Sequence, residues 1–386
     1  TLSSSSAASD VYKRQDEWMF VYESANDRLL KQFETISLKG FGLDNMTNSI
    51  VASGALLNYL DLTQHKDLKH ISSISKISVD KFVVLDKFTT RNLELFRPIY
   101  EGAKSLIEVI DKTCNPMGSR KIRRWLAFPL TDLKAINKRL NITEFFVNNT
   151  FLKAVFEGQI KKIHDIERLL AKISTSRINP REIVHLKNAL LSIQNIIDEL
   201  SNVDLISDLM KFKENLNPLN ELYDFINKHI NDEPPVSLEK GDVIKTGVSD
   251  ELDELRSIAN TGQDFLSNLR IRLATSTQIP SLKISFNKVF GYYIEVTNAH
   301  KNRVPPDWIR KQTLVNAERY ITPELKEYEE KILTANDKIQ VIEAKLYAVV
   351  LAELQKYIEP LKTNSTLIAE LDCYLSFAKL AIEDKY

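Results

Sequence analysis

The chain has 386 residues, enough for two or three domains, and its 52 basic residues balance 52 acidic ones, so no global field points to a polyanionic partner. It holds only ten glycines and twelve prolines, whereas glycine alone averages roughly 7% of residues. So few turn formers imply long elements, and the abundant Leu, Ile, Lys and Glu make these helical, excluding an all-β or disulfide scaffold. The two cysteines, Cys114 and Cys373, lie far apart, which excludes a cysteine-based zinc site and fits a reducing compartment. No apolar run approaches the ~18 residues of a membrane span, so a cytoplasmic, mainly α protein without membrane contact is expected.

The first fifteen residues, TLSSSSAASDVYKRQ, are Ser/Ala-rich without apolar periodicity and are expected to be foreign or disordered. From Asp16 to about Lys69 short elements alternate. A strand is expected around Trp18–Tyr22, then an amphipathic helix with Leu29, Leu30 and Phe33, the turn LKGFGLDN at 38–45, and an apolar helix at 54–64. Together they suggest the tail of an α/β domain. ISKISVD and KFVVLDKFT, within about 75–92, predict a short strand pair. After a Pro/Gly-punctuated cluster, CNPMGSRKIRRWLAFPLTD at 114–132, helices are predicted over roughly 133–148, 151–171, 180–200 and 203–230. The stretch 231–249, broken by Pro234–Pro235, is a connection.

Two long helices follow, Asp250 to about Ser276 and Pro323 to about Ile358, each keeping one apolar face. Thirty helical residues span roughly 45 Å. Because they bracket an insertion, they are expected to run antiparallel as a lever that carries something at its end. The insertion, SLKISFNKVFGYYIEVTNAHKNRVPP at 281–306, alternates Leu282, Ile284 and Phe286, turns near Asn287–Lys288, and continues through Tyr292, Ile294 and Val296. This spells a hairpin packed on little else.

No catalytic constellation accompanies these elements. There is no phosphate-cradling G-x-x-x-x-G-K-[ST], no G-x-S-x-G elbow and no H-E-x-x-H. Gly40-Phe41-Gly42 lacks its next glycine, where Asn45 stands, and the six histidines are scattered. The carboxylates of DELDEL (250–255) and EYEE (327–330) are expected to be solvated helix faces. This chain is therefore expected not to be an enzyme. The positive signal is basic. Residues 281–320 hold Lys283, Lys288, Lys301, Arg303, Arg310, Lys311 and Arg319 against Glu295, Asp307 and Glu318. They are interleaved with Asn287, Gln312, Thr313, Asn316 and Tyr320, which can donate to phosphate oxygens. A second patch, Lys112 to Lys138 and Arg139, is read as the wet back of a buried helix face carrying Met117, Ile122, Trp125 and Leu126.

The strings IPSLKISFNKVFGYYIEVT (279–297) and QTLVNAERYITPELKEYE (312–329) resemble the clamp segment of the MutS mismatch-recognition ATPases. CNPMGSRKIRRWLAFPLTD and LDKFTTRNLEL (85–95) resemble that family's core motifs. LKGFGLDN and GALLNYLDLTQ resemble the close of its connector domain, and IAELDCYLSFAKLA (368–381) the end of its second lever. The resemblance covers about 16–386. It implies a partial α/β connector domain at 16–70, a long-helix core/lever domain at 71–260 and 326–386, and a β-rich clamp inserted at 261–325. It further implies contact with the backbone of double-stranded DNA without sequence specificity, through Asn287, Lys288, Lys311, Gln312, Thr313, Asn316 and Arg319. Phe290, Tyr292 and Tyr293 are expected in the clamp core.

For the full-length family the resemblance implies a homodimer, ATP and Mg as cofactors and a MutL-type repair partner. No cofactor is expected in this chain. The family's mismatch-reading Phe-x-Glu is matched only by Phe212-Lys213-Glu214 in a helical stretch, a coincidence, and the chain stops where the ATPase would begin. Rival readings are a MutS homologue that naturally lacks the mismatch reader, of the meiotic type, and a helical protein-interaction scaffold.

Overall fold

A computed structural model describes residues 17–43, 46–63, 68, 71, 74, 76, 81–287 and 291–385, with side chains omitted at 260–264 and 331. The opening segment 1–15, part of the LKGFGLDN turn, most of the first expected strand before residue 81, Lys288 and Phe290 lie outside the described residues. The chain divides into two compact units. One comprises residues up to Ile178, His185–Tyr223 and the chain from Glu353. The other comprises Asn179–Val184 and Asp224–Ala352.

In the first unit, α1 (Tyr22–Gln32) and α2 (Thr47–Leu62) pack around Ala25, Leu29, Leu38 and Leu57. Then come α3 (Lys87–Asn92), α4 (Leu106–Ile110), α5 (Pro116–Ala127), α6 (Leu133–Asn148), α7 (Thr150–Lys162) and α8 (Ile166–Ser174). Beyond them, α9 (Pro180–Ser201), α10 (Ser207–Asn215) and α11 (Asn220–His229) lead to α12 (Asp250–Thr277), α13 (Pro323–Lys356) and α14 (Ile358–Asp384).

The centre of the first unit is α14, packed against α5, α6, α7 and α8. Its 368–381 stretch is apolar nearly all round, the pattern of a helix meant for burial, and Ile368, Leu371, Cys373, Leu375 and Ala378 are accordingly buried. Of four buried polar residues on the same helix, three secure a neighbouring segment. Asn364 accepts from the Asn217 backbone N–H at 2.9 Å and donates to its carbonyl at 2.6 Å. Ser376 accepts from the N–H of Lys112 at 2.8 Å and donates to the Ile110 carbonyl at 3.1 Å. Ser365 donates to the carbonyl of Lys362 at 2.8 Å, within its own helix. Asp372 accepts the N–H groups of Cys114 and Asn115, both at 2.9 Å, at the head of α5, which Asn115 caps and Pro116 opens.

Burial pushes the Asp372 carboxyl up to about 6, against the two N–H donors that pull it down. A group raised in the folded state favours folding while protonated, and that contribution is lost as pH rises. The stability due to Asp372 is thus present near pH 4 and disappears as pH climbs through about 6. Wild-type stability followed from pH 4 to 7 is expected to fall more steeply with pH than that of Asp372→Asn. Equal slopes in the two proteins would refute the assignment.

The second basic patch behaves as the wet side of a packed helix. Arg120 bonds Asp165 and Glu167 at 2.6–2.9 Å, Lys121 meets Glu370 at 2.8 Å, and the Arg139 guanidinium lies 3.6 Å above the Trp125 ring. Met117 and Ile122 beneath them are buried.

In the second unit, α12 and α13 run antiparallel. Arg256 meets Glu343, Phe265 stacks on Tyr328 with ring centroids 3.4 Å apart, and Arg272 meets Glu324 at 2.6 Å. Between them lies an antiparallel sheet of β1 (Lys283–Asn287), β2 (Gly291–Thr297), β3 (Ile309–Thr313) and β4 (Ala317–Ile321), ordered β1-β2-β4-β3. The expected alternation places Ile284 opposite Ile294 and Phe286 opposite Tyr292. One sheet face, with Leu282, Ile294, Val296, Trp308 and Tyr320, packs on Leu266 and Leu269 of α12 and on Leu325 and Ile332 of α13.

Several expectations are corrected. Trp18–Tyr22 is not a strand, because Glu17–Phe20 forms a 3-10 turn leading into α1. KFVVLDKFT contributes one isolated bridge, Phe82 to Leu130, and then a helix, because Asp86 accepts the Thr89 N–H at 2.6 Å and caps α3. The single helix over 151–171 is two, parted at Asp165, which caps α8. The helix over 203–230 breaks at Pro218 and Leu219, the latter at φ 51°. The hairpin is not alone: β3 and β4 complete a four-stranded sheet with its own core.

Candidate nucleic-acid interface

One cross-strand row of charged and polar residues crosses the sheet. Lys283 on β1 faces Glu295 on β2, Glu295 faces Arg319 on β4, and Arg319 faces Gln312 on β3. Arg319 fastens that row. Its Nε reaches Glu295 Oε2 at 3.2 Å, its Nη1 donates to Gln312 Oε1 at 2.9 Å, and its guanidinium lies 4.3 Å above the buried Tyr293 ring. Cross-strand pairs of opposite charge hold a sheet's register. The adjoining row runs from Ile284, Ile294 and Tyr320, which pack in the core, to the exposed Arg310.

Glu318 is buried on the same strand. The Tyr320 hydroxyl donates to it and Arg310 meets it at 3.5 Å. The Tyr320 hydroxyl, with Arg310 behind it, holds the Glu318 carboxyl below the usual range, while burial and Glu318 push Tyr320 up to about 12. Both arginines of the sheet are therefore structural partners as they stand.

Lysines are left for a ligand. Lys311 falls at a bulge between Arg310 and Gln312, opposite no β4 residue, and bulges re-aim a side chain. It is exposed and, among the described residues, forms no ion pair. Lys311 lines a cavity of about 630 Å³ with Asn287 at the end of β1 and Lys326 on α13. Thr313 is exposed near the opposite end of the sheet. There the exposed Asn316 accepts from the Asn298 N–H at 3.2 Å, while the Asn298 side chain donates to the Val315 carbonyl at 2.8 Å, tying down the β3–β4 turn.

The seven candidates thus divide. Asn287 and Lys311 share one cavity, Gln312 and Arg319 belong to the middle row, and Thr313 and Asn316 lie toward the far turn. Lys288 lies outside the described residues. Lys326 is not among the candidates because it directly precedes the acidic run EYEE (327–330), which is read as a solvated face.

Comparison with known proteins now bears on these elements. The description MutS domain III matches residues 88–378, most of the chain, and MutS domain II matches residues 1–72. The chain belongs to the MutS family. The DNA mismatch repair protein MutS of Bacteroides fragilis is 50% identical over 371 residues, which is 96% of this chain and 43% of that protein. That of Bacteroides thetaiotaomicron is 50% identical with the same coverage, and that of Porphyromonas gingivalis is 48% identical over 95% of this chain and 41% of its own length. The chain therefore spans about two fifths of the MutS relatives it matches. The mainly α architecture with its small inserted sheet agrees with the MutS resemblance in the sequence. No described helix is long and apolar enough to cross a membrane.

Proposed function

We propose that this chain supplies the connector tail, core/lever and clamp of a DNA mismatch repair protein, and that its clamp sheet grips the backbone of duplex DNA without reading sequence. The domain limits 16–70, 71–260, 261–325 and 326–386 belong to this proposal. The observation that carries it is the cavity where Asn287, Lys311 and Lys326 meet, on a sheet whose arginines are already paired. Lys311 forms no ion pair among the described residues, and a cation so placed attracts phosphates and releases counterions, although Glu329 and Glu330 line the same cavity.

Asn287, Lys288, Lys311, Thr313 and Asn316 are the proposed direct contacts, while Gln312 and Arg319 act chiefly by holding the sheet's register. ATP with Mg, homodimerisation, a MutL-type partner and a cytoplasmic location are proposed for the full-length protein. The names of the bacterial relatives favour mismatch repair over a meiotic-type homologue or a protein-interaction scaffold.

Fluorescence anisotropy of a labelled duplex of about 30 base pairs, matched or mismatched, tests the reading across a salt series. The slope of log K against log salt is expected at about −3 to −6 on both duplexes, and Lys311→Ala should flatten it by about 0.9. Absence of binding at about 50 mM salt, or a slope indifferent to Lys311, would overturn the clamp reading.

A further inference from the structure

The first unit holds a cavity of about 450 Å³ that DNA binding by the clamp does not use. Its walls are apolar. Ile122, Trp125 and Leu126 of α5, Ile136 of α6 and Phe377 of α14 line it, with the Trp125 and Phe377 rings stacked at 6.3 Å between centroids. Of the residues lining it, only Arg139 is charged, and its guanidinium lies 3.6 Å above the Trp125 ring.

The cations nearby are already paired. Arg120 is bonded to Asp165 and Glu167, and Lys121 to Glu370. Arg139 is half-buried, yet among the described residues its guanidinium makes no ion pair and no hydrogen bond. Burial pulls its pKa down, and the one carboxylate that offsets this, Glu370, is held by Lys121. The Trp125 ring satisfies one flat face of the guanidinium, but the N–H donors around its edge still want an acceptor. A cation drawn partly out of water without one is costly.

These features define a ligand. Apolar walls with a single polar group, in a volume between roughly 300 and 1,000 Å³, are the usual form of a small-molecule site. A neutral apolar molecule would leave the guanidinium without an acceptor, and a bare inorganic anion would leave the walls wet. One available cation matches one anionic group. A protein partner would instead need a face of about 800 Å² on each side.

We infer that this cavity binds a small amphipathic anion, with an apolar body seated between Trp125, Ile136 and Phe377 and a carboxylate or sulfonate bonded to Arg139. The inference does not depend on the clamp reading.

Two probes of similar shape test it with the full chain: 8-anilinonaphthalene-1-sulfonate, and its uncharged counterpart N-phenyl-1-naphthylamine. Fluorescence titration is expected to show one saturable site for the sulfonate, with a Kd of about 10–100 µM. Arg139→Met keeps an apolar chain over Trp125 and removes the charge, so it should weaken the sulfonate about tenfold and leave the uncharged probe unchanged. Thr143→Glu lines the same cavity one turn further along α6 and offers Arg139 a carboxylate; it should also displace the sulfonate selectively.

Unchanged binding of the uncharged probe shows that the cavity is intact in each variant. Equal loss of both probes, or a sulfonate indifferent to Arg139, would overturn the assignment of an anionic ligand. No saturable binding of the sulfonate to the wild-type chain would overturn the inference outright and leave this face to a covering segment of polypeptide.

Discussion

Gly118→Ala is expected to destabilise the first unit by about 2–4 kcal/mol, although alanine in place of a helix-interior glycine ordinarily stabilises by roughly 0.5–1 kcal/mol. The sign reverses because of one neighbour. A Cβ on Gly118 would lie 2.1 Å from Asp372 Oδ2, 2.7 Å from its Cγ and 2.9 Å from its Cβ. That carboxylate has nowhere to go. It is fully buried on α14 and committed to the N–H groups of Cys114 and Asn115 at the head of α5. Either the helices separate or the carboxylate leaves its donors, and a buried and a half-buried N–H group then lose their acceptor. Hydrogen exchange can localise the effect: α5 and α14 amides should lose protection while those of β1 to β4 keep theirs. In an Asp372→Ser background the same glycine substitution should lose the part of its effect that comes from the carboxylate, leaving the 2.9 Å approach to the Cβ of residue 372. A Gly118→Ala protein as stable as wild type would show that the approach of α14 to α5 is looser than drawn.

Glu343→Ala carries the second large effect, about 3 kcal/mol, in the other unit. Glu343 on α13 is fully buried. Its Oε1 accepts from Arg256 on α12 and from the N–H of Val243 at 3.2 Å, while Oε2 has no hydrogen-bond partner among the described residues. Arg256 also donates to the Ile244 carbonyl at 2.8 Å. One ion pair thus joins both long helices to the 243–244 segment. Truncating Glu343 leaves a largely buried guanidinium and a buried N–H short of their acceptor, whereas replacing both charges by apolar residues of similar volume is often neutral or stabilising. Chemical denaturation should show a large loss for Glu343→Ala and recovery of most of it in Arg256→Met/Glu343→Leu. A double variant no better than the single would mean the pair contributes through geometry that apolar packing cannot replace.

The neighbourhood of these residues shows how far reading along the chain can reach. The apolar faces of α12 and α13 announce themselves at helical spacing, and both expected spans agree closely with Asp250–Thr277 and Pro323–Lys356. Ile284, Ile294 and Val296 alternate as strands do, and the register pairs them accordingly. By contrast β3 and β4, IRKQT and AERYI, went unseen. They are five residues each, and one is an exposed edge blunted by Arg310 and Lys311, a usual guard against edge pairing. The other buries Glu318, whose partners Tyr320 and Arg310 are brought to it only by strand pairing.

By itself, then, the sequence determined the helical class, the extents of the two long helices, the β1–β2 alternation and the strings that resemble MutS. Each of these is written in local periodicity or contiguous residues. Only the tertiary structure decided which basic residues are available to a phosphate. Arg319 stands among the candidates as a cation like Lys311, yet Glu295, Gln312 and Tyr293 occupy it. Lys326 stands beside an acidic run, yet it lines the cavity with Lys311. The reason is physical: a charge's availability depends on which opposite charges and hydrogen-bond partners lie within a few ångströms of it, and in a sheet those neighbours come from other strands.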